Sequence, residues 1–225
     1  LERDIPGLKS VILNINDKPG NVILGNHNIT LFGKDTIEDK LGGLTFEISP
    51  LSFYQVNPVQ TEVLYNKAIE FAGIDKTHTV YDLYCGIGTI TLFAAGKARR
   101  VIGVEEVPEA VEAARKNAMK NNITNVDFYC GKAETVVPEL YEKGEKADVV
   151  FADPPRKGCD EILLKTLVDM APSRIVYVSC NPSTLARDLK YLCSKGFKVH
   201  EVQPVDMFPW TEHVECVVLM SRVGK

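Results

Sequence analysis

Val176-Tyr177-Val178-Ser179-Cys180-Asn181-Pro182 carries the chain from a buried strand into a break in regular structure. The apolar run from Ile175 to Val178 has the length and β-branched content of a strand covered on both faces. Asn-Pro then forces the backbone out of regular structure. A thiol is thereby set at the carboxyl end of a strand, which is where open α/β sheets bind ligands. Taken alone, Cys180 reads as a small buried hydrophobe, because most cysteines are structural. The sequence on either side of it bears on that choice.

Upstream, strand and helix patterns alternate. Val80–Tyr84 predicts a strand, and Cys85-Gly86-Ile87-Gly88-Thr89 a glycine turn opening a helix through Ala95. Arg99–Val104 predicts a second strand, ending in Glu105-Glu106, and Pro108–Asn121 a helix. Val126–Cys130 predicts a third strand, and Ala133–Tyr141 a helix in spite of Pro138. Ala147–Ala152 predicts a fourth, ending in Asp153-Pro154-Pro155-Arg156, before a helix over Glu161–Met170. Downstream of Cys180, Ser183–Lys195 predicts a helix capped by Ser183. Phe197–Gln203 and Val214–Met220 close the chain as strands. The link between those two is too short for a crossover, so they are expected to form an antiparallel hairpin. The whole predicts an α/β fold with five parallel strands and a terminal hairpin, an arrangement similar to that of class I methyltransferases.

The N-terminal part has a different texture. Val11–Asn16, Asn21–Leu24, Asn28–Phe32 and Leu44–Ile48 predict short strands, with a turn at Asp17-Lys18-Pro19-Gly20. Residues 1–48 therefore read as a small β-rich appendage and residues 49–225 as the main domain. The loop Ser49–Pro58 leads into a helix over Val59–Ala72, with Asn57 as its cap, Pro58 at its first position and Gly73 closing it.

The chain has 225 residues, 45% hydrophobic and 25% charged, enough for a sizeable core. A net charge of −4 gives no global signature of nucleic-acid binding, so any RNA contact must be local or lie elsewhere. No apolar run reaches membrane-spanning length, and Leu1-Glu2-Arg3-Asp4 is no signal peptide. The first residue is not Met, so the chain reads as a fragment. Six scattered cysteines, with no C-x-x-C pair and no partnered His, argue against zinc or an iron–sulfur site and suit a reducing, cytoplasmic setting.

Asp82-x-x-x-Gly86-x-Gly88, between a strand and a helix, lets backbone approach a ligand. Glu105 ends the next strand, where an acid reaches ribose hydroxyls. That pair fits either NAD or S-adenosylmethionine. The third glycine of G-x-G-x-x-G is absent, however: Ile90-Thr91-Leu92 follow Thr89. A pyrophosphate turn is thus disfavoured, and S-adenosylmethionine needs none. Asp153-Pro154-Pro155 fixes a carboxylate at the sheet edge. Arg156 stands where amino-methylating DNA enzymes carry an aromatic, and suits phosphate or pyrimidine carbonyl groups.

Together, Phe53-x-Gln55-Val56-Asn57-Pro58, Asp82-Leu83-Tyr84-Cys85-Gly86-x-Gly88, Asp153-Pro154-Pro155-Arg156-Lys157-Gly158, Ser179-Cys180-Asn181-Pro182 and Met207-Phe208-Pro209-x-Thr211-x-His213-Val214-Glu215 resemble, in that order, the RNA uracil-5-methyltransferase family. That resemblance implies a catalytic-domain fragment of an enzyme making 5-methyluridine in ribosomal or transfer RNA. Members of that family carry an RNA-binding β-barrel, and some an iron–sulfur cluster, neither visible here. The resemblance implies Cys180 as nucleophile and Glu215 as general base. It places S-adenosylmethionine, which leaves as S-adenosylhomocysteine, at Gln55, Tyr84, Gly86, Thr89, Glu105 and Asp153, and the RNA substrate at Phe53, Arg156 and His213. Phe53 is the candidate stacking partner of a flipped base. No metal and no membrane are expected, and a monomer is. Ribosomal RNA is preferred to transfer RNA on overall likeness. Lys132 follows Gly131 where many methyltransferases have an acid for the adenine amino group, and it cannot accept that bond. A cytosine-5 enzyme is the nearest rival, and an inactive RNA- or cofactor-binding module the rival of another class. Nothing in the sequence near Cys180 lowers its pKa, so activation is expected from the fold or from the sulfonium.

Overall fold

The computed structural model describes residues 5–17, 23–25 and 27–223. Two hairpins come first. β1 (Ser10–Ile15) pairs antiparallel with β2 (His27–Gly33), and β3 (Ile37–Leu41) with β4 (Leu44–Ile48) through Gly42-Gly43. β3 has three charged residues at its centre and was not expected as a strand; its pairing with β4 and the burial of Leu41 make it one. Of the expected strand at Asn21–Leu24, Ile23 and Leu24 are not in a strand. The rest of that segment, and most of the turn before it, lie outside the described residues.

α1 (Pro58–Ala72) starts as its sequence dictates. The Asn57 side chain accepts from the Gln60 N–H at 3.2 Å, and Gly73 closes the helix with φ +52°. β5 (Thr79–Leu83), α2 (Thr89–Ala95), β6 (Arg100–Glu105), α3 (Pro108–Lys120), β7 (Val126–Cys130), α4 (Ala133–Glu142), β8 (Val149–Ala152), α5 (Glu161–Met170), β9 (Arg174–Ser179), α6 (Pro182–Ser194), β10 (Phe197–Val205) and β11 (Glu215–Arg222) follow. α4 runs through Pro138. The cap of α6 is Asn181, whose side chain accepts from the Ser183 N–H at 3.0 Å, and not Ser183 itself. Both residue types cap helices, and Pro182 at the first helical position settles which one does.

One sheet of order β10-β11-β9-β8-β5-β6-β7 unites the strands after α1. β5 to β9 pair in parallel, and β11 runs antiparallel between β9 and β10. The expected antiparallel hairpin is therefore present, and α6 carries the chain over to it. Every residue of β5 and β8 is buried, as is normal for a sheet with helices on both faces. One core lies against α1, α2 and α3, the other against α4, α5 and α6. Strand order reverses between β5 and β8, and crevices in such sheets open at that point, beyond the carboxyl ends.

α3 also holds the second hairpin. The Asn121 amide accepts from the Thr45 N–H (2.9 Å) and donates to the Thr45 carbonyl (2.7 Å). The Asn117 amide does the same to Glu47 (2.7 and 3.4 Å) and also donates to the Ile87 carbonyl (3.2 Å). The two amides are one helical turn apart and meet two residues on one edge of β4.

Candidate active site

A narrow pocket lies at the reversal. Its lining includes Phe53, Tyr54, Gln55, Tyr65, Asp82, Tyr84, Gly86, Thr89 and Asp153. Past β5 the backbone turns through Tyr84 (φ +66°), a left-handed conformation rare for an aromatic residue. The Tyr84 and Cys85 N–H groups donate to the Val104 carbonyl at 2.9 and 3.1 Å, which fixes this turn against β6. Gly86 (φ +55°) follows, and a Cβ there would meet nothing within 4 Å. Its left-handed backbone explains the glycine, and the open space explains the pocket. The Glu105 carboxylate accepts from the Gly86 N–H (3.0 Å) and the Val107 N–H (2.9 Å), so it is oriented before any ligand arrives.

One polar atom of the pocket residues, Asp82 Oδ1, is buried without a hydrogen-bond partner. The other Asp82 oxygen accepts from the Thr91 hydroxyl at 2.6 Å. Burial pushes the Asp82 carboxyl up to about 7. Unpartnered buried groups are costly and point to a polar ligand. A larger cavity of about 650 Å³, between β1–β2 and α3, contains none of these groups.

The thiol stands on the neighbouring strand ends. Cys180 directly follows β9 and is half-buried. Cys216 pairs with Ser179, so Glu215, one residue before, falls across from Cys180. Glu215 is buried, and burial raises its pKa, opposed by the Arg156 charge. Asp153 follows β8 and is pushed up to about 7 by burial, then by Glu215 and Asp82. Burial, then Glu215 and Asp153, raise the Cys180 thiol, while Arg156 lowers it. At this thiol, Arg156 and a backbone hydrogen bond work against burial and two acids.

Arg156 is exposed but anchored through its backbone. Its carbonyl accepts from the Asn181 amide (3.1 Å) and the Thr184 hydroxyl (3.0 Å). Asp188 on α6 is fully buried and takes bonds from the Cys159 N–H (2.8 Å), the Tyr177 hydroxyl (2.6 Å) and Arg187 Nε (2.8 Å). Gly158 passes beside this group with φ +79°, and a Cβ there would lie 2.6 Å from Asp188 Oδ2. Loop 153–160 is thus clamped to the helix that follows Cys180.

Residues 26–223 match the family described as tRNA (Uracil-5-)-methyltransferase. The chain belongs to this uracil-5-methyltransferase family. An uncharacterized RNA methyltransferase of Caldanaerobacter subterraneus subsp. tengcongensis is 60% identical over 99% of this chain and 49% of its own length. One of Bacillus cereus is 59% identical over 98% of this chain and 48% of its own. The chain spans about half the length of these relatives. Pyrococcus abyssi tRNA (uracil-54, C5)-methyltransferase, solved with S-adenosyl-L-homocysteine, superposes with a TM-score of 0.80 at 33% identity, over 94% of this chain and 50% of that one. Trm5b of the same organism, at 16% identity and a TM-score of 0.69, shares the fold.

Within this member of the uracil-5-methyltransferase family, Phe53, Gln55, Tyr84, Gly86, Thr89 and Asp153 meet in one pocket, with Glu105 one hydrogen bond away. Cys180, Glu215, Asp153 and Arg156 meet beside it, close enough for their charges to act on one another. His213 does not join either group: it is exposed, its ring edge-on to Phe208 at 6.4 Å. Lys132 sits at the N-cap of α4. Three residues were not singled out for a role. Asp82 was quoted only as part of the glycine motif. Tyr65, whose hydroxyl lies 3.1 Å from that of Thr89, sits on α1 at a position that reads as core. Asp188 looks like an ordinary helix-surface acid until the fold turns it inward.

Proposed function

We propose that this chain is the catalytic part of an S-adenosylmethionine-dependent methyltransferase acting on carbon 5 of a uridine in RNA. The observation carrying the proposal is the placement of a thiol, Cys180, across from a buried carboxylate, Glu215, at the strand ends next to the pocket lined by Asp153 and Gly86. Residues 1–48 are read as a β-rich appendage and 49–225 as the methyltransferase domain, in a cytoplasmic setting. Among the described residues no helix is long and apolar enough to cross a membrane.

The donor set suits S-adenosylmethionine: Glu105 is pre-oriented by two N–H groups, and Asp82 Oδ1 has no hydrogen-bond partner. Gln55, Tyr84, Gly86, Thr89, Glu105 and Asp153 would hold it. When bound, it supplies an electrophilic methyl group. Uracil carbon 5 is a poor nucleophile on its own. The Cys180 sulfur, having given its proton to a base, adds to carbon 6, and the displaced electron pair makes carbon 5 an enolate carbon able to take the methyl group. Asp153 is an acid beside the thiol and the candidate acceptor of its proton, which leaves Glu215 free for the later step. Glu215 then removes the remaining proton from carbon 5, and the sulfur–carbon 6 bond breaks to return the thiolate. Phe53, 75% exposed at the pocket lip, would stack on the flipped base, and Arg156, whose charge acts on Cys180 and Glu215, would meet phosphate or carbonyl oxygens.

Large-subunit ribosomal RNA is the first substrate to test. Transfer RNA is the second reading, favoured by the family's description and by the substrate of the P. abyssi enzyme. RNA containing 5-fluorouridine cannot lose its carbon 5 substituent as a proton, so it should trap a Cys180 adduct in the presence of S-adenosylmethionine. Methylation by Cys180→Ala would overturn the mechanism. Calorimetric binding of NAD in place of S-adenosylhomocysteine would overturn the cofactor.

A further inference from the structure

Trp210 stands apart from every other aromatic residue of the described chain. It is 103% exposed, where a tryptophan ordinarily buries most of its surface. Its backbone is left-handed, with φ +70°. The Thr211 N–H donates to the Phe208 carbonyl at 3.2 Å, closing a turn with Pro209 second and Trp210 third. Proline second and positive φ third are the marks of a type II turn, whose third position belongs by preference to glycine. A bulky residue held there is strained, and its side chain contributes nothing to the core. Strain that the fold has no use for directs attention to function.

The turn is rigidly mounted. Met207 is buried, its carbonyl accepts from the Asn57 amide at 3.1 Å, and its sulfur lies 3.8 Å from the Thr61 hydroxyl. The Thr211 hydroxyl donates to the Phe208 carbonyl (2.7 Å) and accepts from the His213 N–H (3.2 Å). Phe208 and His213 brace each other edge to face. This loop springs from Val205 and returns at Glu215, which are cross-strand partners, so it stands on the end of the sheet that holds Cys180.

Pro209, Thr211 and Glu212 around the indole are exposed, and two of them are polar. A protein partner would need an apolar patch around the aromatic. A lone, rigid aromatic face suits an unpaired nucleobase, which needs only a π-surface. We propose that Trp210 is a stacking platform for a base next to the target uridine, one left without its neighbour when that uridine turns toward Cys180. This rests on the proposed RNA activity, and it gives Trp210 a position distinct from Phe53 at the pocket lip.

Trp210 is the one tryptophan in the 225 residues, so its fluorescence reports the contact directly. Transcripts of large-subunit ribosomal RNA and of transfer RNA serve as probes, with methylation kinetics run beside fluorescence titration, using W210F to define the background. Quenching of the wild-type signal is expected. W210A is expected to raise the RNA KM about tenfold with kcat within about twofold, and W210F to hold KM within about threefold. W210G relieves the turn, so it should melt at or above the wild-type temperature while showing the KM of W210A, which separates stacking from misfolding. An unchanged KM in W210A and W210G, or no quenching while the RNA is methylated, overturns the platform. Quenching without methylation of either transcript leaves the platform standing and overturns the enzymatic reading instead.

Discussion

The pocket over β5 and β6 takes its shape from a backbone turn, whereas the ground over β8, β9 and β11 is made of side chains on loops. On the first side, two N–H groups aim Glu105, and the left-handed turn at Tyr84 and Gly86 shapes the cavity. On the second, Cys180, Arg156 and Glu215 depend on supports outside the site: Asn181 and Thr184 hold the Arg156 loop, Asp188 holds its far end, and β11 delivers Glu215. The turn and its carboxylate are oriented by backbone hydrogen bonds alone, which suits a small ligand of fixed shape. Side chains on clamped but open loops suit a large polymer that must enter and leave.

That contrast can be broken from either side. Glu215→Gln should have the largest effect, with turnover down about 10²–10⁴-fold. Because addition at carbon 6 precedes its step, the covalent RNA adduct should accumulate on denaturing gels. Unchanged turnover removes Glu215 from the role of base. Next, Asp188→Ala leaves the Cys159 N–H and Tyr177 hydroxyl buried without a partner, a loss of about 2–4 kcal/mol in denaturant melts. S-adenosylhomocysteine affinity should move little, since the clamp serves the other side. A large loss of cofactor affinity with normal stability would erase the distinction. Glu105→Ala should do the reverse, weakening S-adenosylhomocysteine about tenfold by calorimetry while the melt barely shifts.

The smallest effect is one of pH. Burial, Glu215 and Asp82 raise the Asp153 carboxyl from 3.8 to about 7, so the folded chain keeps a proton that the unfolded chain has released. Stability from this group is complete below about pH 4 and is lost as pH rises to about 7. The ligand-free chain should therefore melt higher at about pH 5 than at about pH 7.5, and Asp153→Asn should flatten part of that slope. Identical slopes for both proteins would show that Asp153 does not titrate this way.

The sheet was legible because its strands are buried on both faces and so read as unbroken apolar runs, such as Ile175 to Val178 and Val149 to Ala152. The turn after β5 was legible because its glycines and the acid ending the next strand stand at fixed offsets. β3 was not, since Glu38-Asp39-Lys40 carries no strand signal and takes its structure from β4. The proximity of Cys180 and Glu215 follows from β11 inserting between β9 and β10, a matter of topology that residue spacing does not encode. The resemblance named both residues; the registers account for why they meet. Trp210 fell in a position of its motif read as variable, and its interest lies in a backbone angle that no sequence displays.

Asn117 on α3 and Asn121 at its C-cap have a consequence for how this molecule keeps to itself. A two-stranded ribbon offers an outer edge to any passing strand, and such edges seed aggregation. Here Asn117 and Asn121 already occupy the Thr45 and Glu47 groups on that edge with four hydrogen bonds. Another chain could add to β4 only by first displacing them, and the Asn117 bond to the Ile87 carbonyl would be disturbed as well. Resistance to clumping and the shape of the glycine turn after β5 are thereby fastened to the same buried amide.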